Sequence, residues 1–427
     1  MKNNSYIFNQ DKKLCTGCGA CEEVCRHSAI KMVSDIDGFV YPVIDKSRCV
    51  SCMACDKICP VVNDRGSNSE FSQKCYVGTT RLKHYFLESA SIGICTMVSE
   101  LIIDKHGVVF GVELDEDNWS ARYIKVVSKN DLYRIRNSKY LQSSTGNTFK
   151  EVKRLLQCGI LVLYIGTPCQ IAGLKSYLRR DYENLFTIDL ICHGTFSPLL
   201  LPLEIKYWEN KFKGKIKNFR FRSKRKYRRI NGGMVNFDVI YDNGKSEHIE
   251  RHASSSPTYR CYAYSGDGYN YNLRLSCYTC PFKSINRYGD LTVGDPWGIN
   301  DNIFKKRNLS SSNPIRSMFF ANTLKGISLI KQIQGMLDLQ EITHKDSFKQ
   351  LALIPCKRDI PEQRKVLFDN VNNIEYGVLV EKMLKCNLEN SHRSFEKHYK
   401  IKILKKYLKC IIGYRYIKKI KCKIYEK

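Results

Sequence analysis

Two runs of cysteine near the start of the chain carry a spacing that does chemistry. The first, CTGCGACEEVC, holds Cys15, Cys18, Cys21 and Cys25; the second, CVSCMACDKICP, holds Cys49, Cys52, Cys55 and Cys59 and ends on Pro60. Both read C-x2-C-x2-C-x3-C, and the second begins 34 residues after the first. Three closely spaced cysteines wrap a loop around one cubane, and the fourth starts a short helix that leads away and ligates the other cluster. The spacing predicts two 4Fe–4S clusters. One uses Cys15, Cys18, Cys21 and Cys59; the other uses Cys49, Cys52, Cys55 and Cys25. Gly17 and Gly19 suit a tight loop whose backbone N–H groups face cluster sulfur. Structural zinc is the competing reading. Zinc sites favour separated C-x2-C pairs or mixed Cys/His ligands, which uninterrupted four-cysteine runs fit poorly.

The elements that follow are those of an α/β body. Residues 62–73 are polar and read as a linker. Ser89–Asp104 has helical spacing of apolar residues, and Val108–Leu114 with Tyr123–Val127 reads as a hairpin around DEDN. Ser128-x-x-Asp131 looks like a helix start. Then come a helix at Phe149–Gln157, a buried strand at Ile160–Ile165, the loop Gly166–Cys169, a helix at Gln170–Arg179 and a second buried strand at Leu185–Ile191. Strand, helix, strand implies parallel neighbours, and sites in such sheets lie beyond the carboxyl ends of the strands. Cys169 and Cys192 each follow such an end. Cys277 and Cys280 form a further C-x2-C ahead of a strand ending in GDPWG, Gly294–Gly298. Together these four thiols suffice for a third 4Fe–4S cluster; ordinary buried cysteines are the alternative. The fold class expected is an α+β ferredoxin-like two-cluster head, an α/β body with parallel strands and a basic helical C-terminal tail.

Composition narrows the function class. The chain has 427 residues, of which 43% are hydrophobic and 26% charged, so it is globular with two or three domains. Its longest apolar stretch, Gly159–Gly166, is far short of the roughly 20 residues that span a bilayer. The first residues have no apolar signal-like region, so a cytoplasmic protein is expected, where disulfides are rare. Twenty cysteines then point to metal or redox chemistry. The formal charge of +28 falls to about +22 if three clusters each carry about −2.

The chain from about Cys75 to Gly298 resembles the beta-subunit family of the hydrogenase that reduces the deazaflavin coenzyme F-420. The resemblance rests on SKYLQSSTG (Ser138–Gly146), VLYIGTPCQIAGLKSYL (Val162–Leu178), IDLICHGTFSP (Ile188–Pro198) and SCYTCPFKSINRYGDLTVGDPWG (Ser276–Gly298). Cys15–Pro60 resembles the bacterial two-cluster ferredoxin, with Arg26 where that family usually has proline. The resemblance implies FAD, a 4Fe–4S cluster in the body, and electron transfer between flavin and iron–sulfur centres. Relatives act on the deazaflavin, on sulfite or glutamate chemistry or on a chlorophyll side chain, and some accompany polysaccharide biosynthesis. Where the family has serine and paired glycines this chain reads ESASIG, and Ile92 is expected to narrow any cofactor gap there.

Candidate flavin contacts are Lys139, Ser143, Ser144, Thr145, Gly146, Gly166 and Thr167, which offer charge, hydroxyls and a strand–helix junction whose N–H groups favour anions. A plain polar loop is the alternative. No GxGxxG motif marks a Rossmann dinucleotide site. His193 is the candidate catalytic proton donor, with simple packing as the alternative. Asp295 is expected to cap its turn, and Trp297 to fill core. The other cysteines, among them Cys356, Cys410 and Cys422, have no ligand spacing.

Two basic stretches remain. Phe219–Arg229 has seven basic residues in eleven. It reads as a solvated loop, as a surface for an anionic substrate or acidic electron carrier, or, last, as a nucleic-acid site in which Phe219, Phe221 and Tyr227 stack bases. The tail, Arg393–Lys427, has thirteen Lys/Arg against two Glu. It suits a basic amphipathic helix on an anionic inner membrane face, a partner-docking helix or an exposed helix without a binding role. The expected divisions are 1–61 (ferredoxin head), 62–73 (linker), 74–158 and 159–300 (family regions, the latter with the third cluster), 301–392 (helical extension) and 393–427 (tail). The reading is an iron–sulfur flavoprotein oxidoreductase serving an organic hydride acceptor or a redox partner protein. The rival is a non-catalytic electron-transfer subunit.

Overall fold

The two cysteine runs share more than their spacing. In a computed structural model, which describes residues 6–63, 73–224, 233–262, 270–299, 316–343, 353–354 and 358–412, both loops bend through left-handed backbone at equivalent positions. These are Gly17 (φ +70°) and Gly19 (φ +79°) in the first, and Ser51 (φ +54°) and Met53 (φ +57°) in the second. Each loop then enters a short helix, α1 (Ala20–Val24) or α2 (Ala54–Lys57), and the two helices pack together. Between the runs, β1 (Ile30–Ser34) and β2 (Val40–Ile44) pair antiparallel.

The body is built on a nine-stranded mixed sheet. Its centre is four parallel neighbours: β4 (Val108–Asp115), β7 (Val162–Gly166), β8 (Leu185–Leu190) and β12 (Leu291–Gly294). Strands β7 and β8 are apolar and covered on both faces, as parallel strands must be. One face is packed by α4 (Thr148–Gln157) and α5 (Pro168–Leu178) through Phe149, Val152, Ile171 and Leu174. The other is packed by α3 (Ile94–Asp104) and α7 (Leu324–Ile333) through Met97, Ile102, Leu329 and Ile333. The expected hairpin forms between β4 and β5 (Ser120–Val126), and β5 pairs parallel with the two-residue β6 (Ser143–Ser144). On the far side β12 continues antiparallel to β13 (Ser317–Ala321), then β3 (Lys74–Thr80), then β14 (Leu337–Ile342).

A separate antiparallel sheet, β9 (Lys215–Arg220), β10 (Met234–Ile240) and β11 (Ser246–His252), packs with α6 (Leu200–Phe212). Its core gathers Trp208, Phe219, Phe221 and Phe237.

Several expectations change here. The helix expected from Ser89 begins at Ile94, because Gly93 turns the chain through φ +89° and a Cβ there would sit 2.8 Å from Tyr85 Cβ. Within the expected helical extension, α7 ends at Ile333 and Leu337–Ile342 becomes an edge strand; a short run such as LDLQEI satisfies either period. Residues 301–392 are therefore not a purely helical extension, since β13 and β14 belong to the main sheet. In the basic run, Phe219 and Phe221 are only 4% and 1% exposed and cannot stack bases. Arg222 and Lys224 are buried too, while Tyr227 and residues 225–229 lie outside the described residues. The tail is helical through Leu388–Ile412, with Ile401, Ile403 and Leu404 exposed on it. Residues 413–427, Cys356 and the rest of 301–315 lie outside the described residues. No described helix is long and apolar enough to cross a membrane.

Candidate functional site

Four cysteines meet where the parallel strands end. Gly166 of β7 stands beside Asp189 of β8, so the chain leaves both strands on one edge of the sheet, as the strand–helix–strand pattern implies. Thr167 then caps α5 through a capping box with Gln170, and its Oγ1 lies 3.2 Å from Cys169 Sγ in the first turn. Cys192 follows β8 after one residue. Cys277 closes a 3-10 turn, Leu275–Cys277, with Cys280 beyond it. The loop from Cys280 to β12 is tied down by the buried carboxylate of Asp189. It accepts from the backbone N–H of Tyr288 (3.1 Å) and Gly289 (3.0 Å) and pairs with the buried Arg287 (3.1 Å).

The thiols feel one another. Burial pushes Cys169 up to about 11; the bond from Thr167 works against this and the charge of Cys277 adds to it. Burial, then Cys277 and Cys169, push Cys192 up to about 12. Burial, then the other three thiols of the set, also raises Cys280. Four half-buried thiols within mutual range form a soft ligand set, which a bound metal would hold as thiolates. Among the described residues no three His, Cys, Asp or Glu groups are close enough to share one metal ion. A cubane instead spreads four thiolates over four irons.

In the head, Cys59 lies within electrostatic range of Cys15, Cys18 and Cys21. Cys55 of the second run also lies within range of Cys21. Burial raises Cys18, Cys21 and Cys59. Cys55 neighbours Cys52, and the Cys25 sulfur accepts from Ala29 N–H at 3.3 Å. The two runs differ in setting: Cys18 is buried, whereas Cys49 and Cys52 are exposed.

The first run is pressed against the body. A Cβ on Gly173 of α5 would meet Cys18 Cβ and Sγ at 3.0 Å. Cys18 and Cys169 also influence each other electrostatically, so the head thiols and the body thiols are neighbours. Thr145 Oγ1 donates to the Cys18 carbonyl at 3.2 Å. Glu23, 2% exposed, accepts from Phe149 N (3.2 Å) and Lys150 N (2.8 Å) at the start of α4.

Beside these thiols lies a cavity of about 1270 Å³. All four body cysteines line it, as do Lys139, Ser143, Gly166, Thr167 and His193. Ser144, Thr145 and Gly146 do not. Ser144 is exposed and accepts from Gly146 N–H, while Thr145 holds the head. Ser143 accepts from Gln170 Nε2 at 3.0 Å, and Gln170 Oε1 accepts from Tyr123 at 2.9 Å, so this wall is fixed by side chains that bond one another. Lys139 donates to the carbonyls of Arg136 (2.6 Å) and Arg134 (3.2 Å), and burial lowers its pKa to about 7. Burial likewise holds the His193 imidazole down at about 4, and its Nε2 is bonded to Asn270 Oδ1.

Other wall residues carry no sequence signal, or a misleading one. Gln142 immediately precedes the candidate Ser143; its Nε2 is buried in the wall with no hydrogen-bond partner. Trp297 does not fill core; it is 55% exposed at the cavity. Asp295 pairs with the buried Arg222 at 2.8 Å. Ile92 points into the core at 0% exposure and does not narrow the cavity, which is lined there by Ser89, Ala90, Ser91 and Gly93.

Residues 160–345 match the family model for the C terminus of the coenzyme F-420 hydrogenase/dehydrogenase beta chain, and residues 14–63 match the 4Fe–4S dicluster domain. The first match runs well past Gly298, taking in β13 and β14. The chain belongs to the coenzyme F-420 hydrogenase/dehydrogenase beta-subunit family, with an N-terminal ferredoxin domain. It is an iron–sulfur electron-transfer protein. No curated protein matches it. Among solved structures, one similar chain comes from the F-420-reducing NiFe hydrogenase complex of Methanosarcina barkeri. It is 17% identical, and the match covers 70% of this chain and 92% of that one, with a TM-score of 0.39.

Proposed function

We propose that the chain is an iron–sulfur flavoprotein oxidoreductase that exchanges electrons between a redox partner protein and an organic hydride acceptor or donor. The observation that carries this reading is the convergence of Cys169, Cys192, Cys277 and Cys280 on the wall of a large cavity, with Cys18 of the head directly behind α5. These four cysteines hold a third 4Fe–4S cluster. Cys15, Cys18, Cys21 and Cys59 hold the inner head cluster, and Cys25, Cys49, Cys52 and Cys55 the outer one. Clusters supply one-electron transfer and a bound flavin couples it to two-electron hydride chemistry.

The cavity residues fit a flavin. The volume exceeds that of most small-ligand pockets, about 300–1,000 Å³, and so has room for a cofactor together with a substrate. The start of α5 turns Gly166 and Thr167 toward the cavity, where helix N–H groups favour a pyrophosphate. Ser143 and the unsatisfied Gln142 Nε2 offer polar contacts, and the Lys139 amine lines the same wall. His193, neutral and donating its Nε2–H to Asn270 Oδ1, is placed beside Cys192 with Nδ1 left as an acceptor for a reacting group. The substrate class is a deazaflavin-like or polysaccharide-pathway acceptor.

The test is flavin and iron content of protein purified without oxygen. About twelve irons and one flavin per chain are expected from three cubanes. About eight irons and no flavin, even after reconstitution, would overturn the reading in favour of an electron-transfer subunit without its own hydride site.

A further inference from the structure

One buried cation belongs to neither the head nor the cavity alone. Arg274 is 1% exposed. Its backbone sits in the turn that places Cys277: Arg274 N donates to Thr195 O at 3.0 Å, and Cys277 N donates back to Arg274 O at 2.9 Å. Its side chain leaves the body and enters the head. Nε donates to the Cys15 carbonyl at 2.8 Å, and Nη1 donates to Gln142 Oε1 at 3.0 Å. The guanidinium stacks on Tyr41, 4.0 Å from the ring centroid. Gly17 admits this arrangement, since a Cβ there would lie 3.1 Å from Arg274 Cζ.

The electrostatics of this residue are incomplete without an anion. Among the described residues no carboxylate pairs with Arg274, and its Nη2 is buried with no hydrogen-bond partner. A buried charge without a counter-charge is unfavourable. Its neighbours are the ligand loops of both regions: the Cys15 carbonyl accepts from its Nε, and its own carbonyl accepts from Cys277 N–H.

We infer that Arg274 is a shared positioning cation, set between the inner head cluster and the body cluster, whose charge raises the reduction potential of both and keeps their loops in register for electron exchange. This rests on the ligand assignment proposed above. The step it serves moves one electron from the reduced inner head cluster to the oxidised body cluster, or the reverse; no bond is made and no proton moves. A fixed positive charge beside a cluster favours its more negative, reduced form. The outer head cluster, on exposed Cys49 and Cys52, has no such neighbour in Arg274 and serves as an internal reference.

The experiment is an EPR-monitored redox titration of the full chain, reconstituted without oxygen, as wild type, Arg274→Gln and Arg274→Lys. The expected result is a shift of two cluster potentials to lower values in Arg274→Gln, with the third unmoved. Arg274→Lys, which keeps the charge, should hold both potentials near their wild-type values. Unchanged potentials in Arg274→Gln at full iron content would overturn the inference. So would equal shifts in the Gln and Lys variants, which indicate a role in packing only. If Arg274→Gln does not hold iron, wild-type-like potentials in Arg274→Lys support the inference and lowered ones overturn it. A wild type that holds about eight irons and no body cluster defeats the proposed third cluster instead. The inner head cluster then still reads the effect of Arg274.

Discussion

The two cysteine runs have the same spacing and the same left-handed turns, yet they use different residues to make them. The first places Gly17 and Gly19 where the second places Ser51 and Met53. Left-handed backbone alone is therefore not the reason for glycine, because the second loop adopts it with side chains. The reason is the neighbour. A Cβ on Gly17 would sit 2.2 Å from Gln142 Nε2, and one on Gly19 would sit 2.3 Å from Thr145 Oγ1. The second loop faces solvent, with Met53 36% exposed. Repetition supplies the ligand geometry, and contact with the body decides which copy is the interior relay. The exposed copy is then the one a redox partner of the proposed kind would reach.

The sharpest break of this comparison removes one ligand from each copy. Cys18→Ala should cost about four irons and abolish reduction of the body cluster by an external protein donor. Cys52→Ala should cost a similar amount of iron but leave the body cluster reducible by dithionite, and it should leave the head seated on the body. Iron content with EPR after stepwise reduction separates the two. Equal loss of body-cluster signal in both variants would erase the distinction between the two copies. Next in size is the exchange of loop residues. Gly17→Ser and Gly19→Met force side chains into Gln142 and Thr145, where overpacking costs about 1–3 kcal/mol or more each. Early thermal release of the head, read by limited proteolysis, is the expected result. Smaller again is Glu23→Ala. It leaves the first N–H groups of α4 uncapped, which costs about 0.5–2 kcal/mol, and should lower the unfolding midpoint without altering iron content.

These contacts mark where the sequence ceases to be readable. The cysteine spacing, the parallel β7–α5–β8 unit and the placing of Cys169 and Cys192 on one sheet edge are local patterns with a physical cause, and all are found. Cys277 and Cys280 join them because a C-x2-C is itself a local signal. Arg274 and Gln142 carry no such signal. Arg274 meets Cys15 across 259 positions, and nothing in the neighbourhood of either residue points to the other. Thr145 looks like a ligand hydroxyl because its loop is rich in Ser and Thr; its partner is a carbonyl 127 residues earlier. The size of Trp297 suggests core, but a cavity mouth also accommodates an aromatic, and only tertiary structure separates the two. Ile92 fails in the opposite direction: a departure from a glycine pattern suggests a narrowed site, but the side chain turns away into the α3 core.

The smallest effect is expected from the mirror exchange, and it tests the comparison most closely. Ser51→Gly and Met53→Gly relieve the left-handed penalty that an L-residue meets at positive φ, about 1–2 kcal/mol per residue. Against this, glycine loses more freedom on folding, an opposing cost of about 0.5–1 kcal/mol. Both positions are exposed, so packing contributes little. The two terms nearly cancel, and a change within about 1 kcal/mol is expected, slightly favourable where the penalty exceeds the entropy. Iron content and the outer-cluster EPR signal should match wild type. A loss as large as that of Gly17→Ser would mean that the turn itself, and not the approach of Gln142, dictates glycine in the first loop. A neutral result beside a severe Gly17→Ser assigns the glycines to the head–body contact.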